Sequence, residues 1–160
     1  MKVGHIMLKK DFINKYWPDA KAACAGSAIF PLLALAESAV ESAWGESYLT
    51  KEANNFFGEK STQSWEQSGG KYVVKPTHEV IDGKSVVVNA KFRKYDNAQK
   101  SYENYVHFVT QPGYVSAGVT KATSPEDQIR CIAHEGYATD PHYADTIISV
   151  MHGLLPLITG

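Results

Sequence analysis

Residues Leu35–Lys60 read L-A-E-S-A-V-E-S-A-W-G-E-S-Y-L-T-K-E-A-N-N-F-F-G-E-K, and the rest of the chain is interpreted around them. They continue a run opening at Pro31, a residue suited to a first helical turn, and Leu32, Leu35, Ala36, Ala39, Val40 and Ala43 recur at helical spacing. The pattern predicts a helix from Pro31 to Trp44, mostly small and apolar. Glu37 and Glu41, four residues apart, share one of its faces. A carboxyl set among small apolar neighbours is poorly solvated and keeps its proton toward neutral pH, which is what an acid catalyst needs. Trp44 and Gly45 follow: an aromatic of the kind that stacks on sugar rings, then a residue able to end a helix in a left-handed turn.

Toward the N-terminus the pattern stays helical. Residues from about Leu8 to Gly26 read as one helix, or as two short ones meeting at Pro18, with Phe12, Ile13, Tyr16 and Trp17 on an apolar side. Toward the C-terminus a short helical turn, Ser47 to Ala53, leads into the N-N-F-F-G loop. Ser61 to Gly70 is polar, with Gly69-Gly70 as a breaker. From Lys71 to Tyr95 the period changes: K-Y-V-V-K-P-T-H-E-V-I-D-G-K-S-V-V-V-N-A-K-F-R-K-Y is rich in β-branched residues and folds back at Asp82-Gly83, the strongest short-range hairpin signal. Two strands alone are marginal in water, so the hairpin is expected to lean on the helices or on a third strand. Three further helices are predicted, Ala98 to Gln111, Pro125 to Glu135 and Pro141 to Leu155, with Ser124 and Asp140 as N-caps directly before prolines. The expected architecture is a single domain over 1–160, mainly α within an α+β arrangement, in which a helical lobe and a small β-hairpin lobe at 71–95 flank a groove.

At 160 residues and 17.6 kDa, with 44% hydrophobic residues, the chain can bury one ordinary core. A net charge of -1 and a pI near 6.6 leave no broad basic surface, which argues against nucleic acid and anionic membranes as partners. No segment is apolar for long enough to span a bilayer, and M-K-V-G-H-I-M-L-K-K-D-F holds no run of signal-peptide length. Cys24 and Cys131 lie far apart in helical, partly apolar contexts and read as free buried thiols. The histidines lack metal-site spacing: no H-E-x-x-H helix occurs, His78-Glu79 falls on a predicted strand, and His142 and His152 point to different helix faces. No metal or other cofactor is expected.

The block A-V-E-S-A-W-G, followed by N-N-F-F-G-E-K, resembles the signature of the bacterial and phage N-acetylglucosaminidases of glycoside hydrolase family 73, which cut peptidoglycan glycan strands. T-H-E-V-I-D-G, F-R-K-Y-D-N-A-Q-K-S-Y-E-N-Y and E-G-Y-A-T-D-P-H-Y-A are similar to that family's later blocks, in the same order. The resemblance runs from about Phe12 to Ile158, and four ordered blocks are far more specific than any one. It implies a lysozyme-like fold and cofactor-free hydrolysis of the N-acetylglucosaminyl-β-1,4-N-acetylmuramic acid bond, by a monomer acting on a glycan strand. With no visible leader, it further implies synthesis in the cytoplasm and delivery to the cell wall by a holin, a virion or an export machine.

The resemblance assigns Glu41 as general acid. A helical glutamate is by default a solvated helix former, which is how Glu46, Glu52 and Glu66 read; around Glu41, Ala39, Ala43 and Trp44 favour a sheltered carboxyl. Glu37 stands where the family usually carries glutamine, and Ala43 where it often carries glycine. An ionised Glu37 would disfavour a second charge on Glu41; the plainer alternative is an exposed partner for a lysine. The second carboxylate is expected at Glu79, before the hairpin turn, with Asp82 as fallback. Glu79 either activates water from the opposite sugar face or only orients and stabilises while the substrate's own acetamido group attacks. Tyr137 is expected in the groove, on the acetamido group or on water, or else as a core aromatic. Trp44, Asn54, Asn55 and Phe57 are expected to bind substrate along the same groove, with Phe56 buried. At the end of the second strand, Arg93 pairs a carboxylate and Phe92 packs. The competing readings are a noncatalytic glycan-binding or assembly module of a phage tail or appendage, and a muramidase or lytic transglycosylase acting on the same glycan.

Overall fold

The computed structural model describes residues 2–158, with side chains described from Lys9 onward. The ends of the domain expected over 1–160, and the side chains of the first eight residues read for a leader, lie outside that range. Helix α1 (Lys2–Cys24) runs as one helix through Pro18. After it come α2 (Pro31–Glu41), α3 (Tyr48–Ala53) and a one-turn α4 (Gln63–Gln67). The hairpin strands are β1 (Lys71–Ile81) and β2 (Lys84–Lys94). Helices α5 (Ala98–Phe108), α6 (Pro112–Ser116), α7 (Pro125–His134) and α8 (Tyr143–Leu154) complete the chain, with single 3-10 turns after α6 and α8.

Helix α2 is the centre of the helical lobe. Every residue from Leu33 to Ala39 is buried, and α1, α7 and α8 pack around it. A helix that is apolar and small on all sides has to be interior. Leu33 and Leu35, both fully buried, contribute roughly 2 kcal/mol each by leaving water. Phe12, Ile13, Phe56, Tyr102, Ile129, Ile147 and Met151 close the core around them. The entry to α2 is tied down by the buried Gln128 side chain of α7, which donates to the Ala28 and Val119 carbonyls at 2.8 and 3.0 Å and accepts from the Phe30 amide at 2.9 Å.

The exit of α2 comes earlier than the periodicity predicts. The helix stops at Glu41, and Ala43, Trp44 and Gly45 follow with φ of 50°, 56° and 83°, all left-handed. The Trp44 amide turns back to the Ala39 carbonyl at 2.7 Å, and the Ser42 hydroxyl accepts the Gly45 amide at 2.9 Å. Glu41 therefore stands on the last turn, at the rim of the core rather than inside it.

The hairpin forms at the expected place. Asp82 and Gly83 take φ of 52° and 76°, the two positive values a type I′ turn needs, and the register pairs Glu79 with Val86. Its support comes at the base, where Lys60 bridges to Phe92, the Ser61 amide donates to the Lys91 carbonyl at 2.8 Å and the Arg93 amide donates to the Glu59 carbonyl at 3.0 Å. Trp65 of α4 donates its indole N–H to the Lys71 carbonyl at 2.8 Å and lies flat over Gly70, where a Cβ would fall 2.3 Å from the indole.

Three boundaries differ from expectation. The helix predicted from Ala98 to Gln111 stops at Phe108, because Pro112 holds Gln111 extended and opens the separate α6. Helix α8 starts at Tyr143 rather than Pro141: the Asp140 carboxylate accepts the His142 amide at 2.8 Å, closing a turn that contains Pro141 instead of capping a helix there. The polar stretch after Ser61 holds α4, capped by Thr62, where no helix was expected. Ser124 does cap α7 before Pro125. Cys24 and Cys131 are free, Cys24 buried and Cys131 half-buried.

Candidate active site

At the C-terminal end of α2, two carboxyls converge on one hydroxyl. Tyr143, from the first turn of α8, places its Oη 2.9 Å from Glu37 Oε2 and 3.0 Å from Glu41 Oε1. The other oxygen of Glu37 accepts the Tyr105 hydroxyl of α5. Glu37 is fully enclosed, while Glu41 is exposed where it opens onto a cavity of about 660 Å³. That cavity lies between the lobes and is lined by Glu41, Phe57, Gly58, Glu59, Lys60, Thr62, Arg93, Phe108, Tyr137, Ala138 and Thr139. Phe57 stacks on Tyr105 with centroids 4.3 Å apart, and Tyr137 stacks on Tyr143 at 5.8 Å, so aromatic rings hold both tyrosines that touch the carboxyls.

Burial dominates the electrostatics. It pushes the Glu37 carboxyl up to about 8, against the stabilising hydroxyls of Tyr105 and Tyr143 and with the neighbouring Glu41 adding to the rise. Glu41 is raised in the same direction by burial, opposed by Tyr143. Burial also raises Glu59, whose carboxylate is countered by the Arg93 guanidinium and by the Tyr95 and Asn104 side chains that hydrogen-bond it. A sheltered, proton-retaining carboxyl at a cavity wall is equipped to donate to a leaving oxygen.

A family model described as glucosaminidase, mannosyl-glycoprotein endo-beta-N-acetylglucosaminidase, matches residues 17–155. The chain belongs to the glucosaminidase family. Among glucosaminidase relatives, the peptidoglycan hydrolase FlgJ of Vibrio parahaemolyticus is 34% identical over 144 residues, covering 88% of this chain and 46% of that protein. The exo-glucosaminidase LytG of Bacillus subtilis is 33% identical over 127 residues, covering 77% of this chain and 43% of that one. The chain thus spans about half the length of these curated relatives. Among solved structures, a C-terminally truncated glycoside hydrolase domain from Salmonella typhimurium FlgJ superimposes with a TM-score of 0.77 at 34% identity, over 92% of this chain and 98% of that one. The helical lobe with its hairpin is thus the lysozyme-like arrangement of glucosaminidase-family domains.

Of the residues expected at the site, Glu41, Tyr137 and Phe57 share the cavity. Glu79 is not among its lining residues; it reaches the cavity through Lys60, whose ammonium it pairs with at 2.8 Å. Asp82 is exposed at the hairpin tip. Trp44 and Asn54 do not line the groove of Glu41: they lie on a separate cavity with Phe12, Lys15 and Tyr16, because the left-handed exit of α2 turns Trp44 back onto α1. Asn54 donates to the Tyr95 carbonyl at 2.9 Å. Asn55 is buried and structural in its contacts, donating to the Glu59 and Arg93 carbonyls at 2.9 Å each and accepting the Glu59 amide at 3.0 Å. Phe92 packs as expected, whereas the Arg93 guanidinium hydrogen-bonds Asn104 Oδ1 at 2.9 Å and acts on the Glu59 carboxylate only electrostatically, with no ion pair to a carboxylate among the described residues. Glu37 is a core residue rather than a lysine's surface partner.

Three residues of the site escape sequence reasoning. Glu59 lies directly after N-N-F-F-G, and its place beside residues expected to line the groove is the signal that could have found it. Tyr105 and Tyr143 sit 68 and 106 residues from Glu37, and nothing local in their segments points to a shared carboxyl.

Proposed function

We propose that this chain is a peptidoglycan hydrolase that cleaves the N-acetylglucosaminyl-β-1,4-N-acetylmuramic acid bond, with Glu41 as general acid. The observation that carries the reading is a carboxyl on the last turn of an interior helix, raised by partial desolvation and facing a cavity of about 660 Å³, in a chain of the glucosaminidase family. Glu41 gives its proton to the glycosidic oxygen as the bond to the anomeric carbon breaks. Aromatic Phe57 and Tyr137 offer ring faces to the sugars, with the Tyr137 hydroxyl on the acetamido group or on water. Glu79, steered toward the cavity by Lys60, serves either as base for the incoming water or as an electrostatic support while the acetamido oxygen attacks. The protein acts as a monomer, needs no cofactor, and works at the cell wall after export or release.

Mass analysis of muropeptides from digested walls tests this. New reducing ends should be N-acetylglucosamine, and Glu41→Gln should lower kcat/KM roughly a hundred- to ten-thousand-fold with folding retained. Muramic acid ends would reassign the chain as a muramidase, anhydro ends as a lytic transglycosylase, and binding without clearing as a noncatalytic module. Comparing Glu79→Gln with Glu59→Gln identifies the second carboxylate. A drop of roughly a hundredfold or more is expected for Glu79→Gln, and a drop for Glu59→Gln alone would transfer the role to Glu59.

A further inference from the structure

The contacts of Tyr143 contain a proton count. Its hydroxyl has one hydrogen, yet it lies within hydrogen-bond distance of an oxygen on each of two carboxyls, 2.9 Å from Glu37 and 3.0 Å from Glu41. It donates to one of them. The other contact is a hydrogen bond only if that carboxyl carries a proton and gives it to the phenol oxygen. Two ionised carboxylates on one hydroxyl in a buried setting would also repel at close range, which the second proton removes. Tyr105 completes the arrangement, since its hydroxyl donates to the far oxygen of Glu37 and supports that group in either state.

Resting on the hydrolase reading above, we propose that Glu37 is a positioning residue for the acid: Glu37 and Glu41 hold one proton between them through the Tyr143 hydroxyl, and Glu37 charges Glu41 before each donation. At rest the proton is on Glu37, which donates to the Tyr143 oxygen while Tyr143 donates to the Glu41 carboxylate. To charge the acid, the Glu37 O–H bond breaks as a bond forms to the Tyr143 oxygen, and the original Tyr143 O–H breaks as its proton forms the O–H of Glu41. Glu41 then gives that proton to the leaving oxygen, which leaves both carboxyls ionised, Glu37 accepting from Tyr105 and Tyr143. The proton that water releases on attacking the anomeric carbon returns to Glu41, which lines the cavity, and passes back through Tyr143 to Glu37.

The surroundings favour retention of that proton. The groups in electrostatic reach of Glu37 are Glu41 beside it, Tyr105 from α5, Tyr114 from α6, Tyr137 from the loop before α8 and Tyr143 from α8; Glu135, at the end of α7, and Glu59, on the cavity wall, act on Tyr114 and Tyr137. All four hydroxyls are held protonated by burial. Among the described residues, no lysine, arginine or histidine pairs with either carboxyl. Burial pushes Glu37 and Glu41 in the same direction, toward keeping a proton.

The test is the pH profile of kcat/KM on purified walls, with Glu37→Gln as the variant. Glutamine keeps the shape, accepting one hydroxyl at its carbonyl oxygen and donating its amide N–H to the oxygen of the other, but has no carboxyl proton to lend. The alkaline limb, which reports loss of the proton on Glu41, is expected to move down by about one pH unit in the variant. A limb that stays in place while the rate falls evenly would mean a structural role and overturn the proposal. Should the variant not fold, infrared titration of the Glu59→Gln chain applies instead: one protonated carboxyl should persist at about neutral pH, and none would overturn the proposal. Walls left uncut by the wild-type chain would defeat the hydrolase reading itself, a different outcome from cleavage whose alkaline limb ignores Glu37.

Discussion

A carboxyl as enclosed as that of Glu37 binds its proton more tightly in the folded chain than in the unfolded one, and this sets the sign of a pH effect on stability. Its ordinary value of 4.5 rises to about 8 on folding, so between those values the native state holds a proton the unfolded state lacks. The stabilisation is complete below about 4.5 and is lost as pH rises through about 8. Stability should therefore decline across that window by on the order of 1 kcal/mol per pH unit, and urea midpoints at successive pH values should flatten in Glu37→Gln. Ala43 gives a second residue-level expectation. It sits at φ 50°, where a Cβ meets the following carbonyl, so Ala43→Gly should raise stability by roughly 0.5–1 kcal/mol in denaturant melts. At this scale the sequence pointed to Glu41 and not to its partners. Small neighbours mark Glu41 as lying at the end of an interior helix, but Tyr105 and Tyr143 reach Glu37 only because α5 docks on α1 and α8 on α2. The direction in which Trp44 points was equally hidden, since it depends on three successive left-handed residues of which only one is glycine.

Between elements, the polar joints decide where the hairpin sits against the helices. Asn55 spans from the loop after α3 to the Glu59 and Arg93 backbones, and Asn55→Ala would remove the side-chain partner of three part-buried backbone groups, of which the Glu59 carbonyl keeps the Arg93 amide. A loss of roughly 2–4 kcal/mol is expected by thermal or urea melts, together with loosened Glu59. At the other side of the base, Gly70→Ala would drive a Cβ into the Trp65 indole, 2.3 Å away, and should cost roughly 1–3 kcal/mol with a change in tryptophan emission as the ring is displaced. The elements themselves were largely readable. The Leu and Ala spacing of α2, the Asp82-Gly83 turn and the Ser124-Pro125 start of α7 each have a local cause. Where local cause competes, the reading slipped: Asp140 satisfies the His142 amide in a turn and so delays α8, and a one-turn helix such as α4 carries too few residues to show a period.

Across the whole molecule, stability is unevenly spread. Helix α2 is enclosed by α1, α7 and α8, whereas β1 and β2 are covered only near Phe92 and are exposed toward the tip. Amide hydrogen exchange should accordingly be slowest in α2 and fastest around Asp82-Gly83, with the strand ends near Lys71 and Lys94 between the two; equal protection along the hairpin would contradict this. The hairpin also bears on how copies of the protein meet one another. Two eleven-residue strands with exposed Val74, Val80 and Val87 present the flat, β-prone surface on which sheets extend from molecule to molecule. Lys71, Lys75, Lys84, Lys91 and Lys94 and the amide-less Pro76 lie along those same strands. An incoming strand would have to desolvate ammonium groups and would find a missing donor at Pro76, so the lobe that borders the cavity stays dispersed in concentrated solution instead of seeding fibrils.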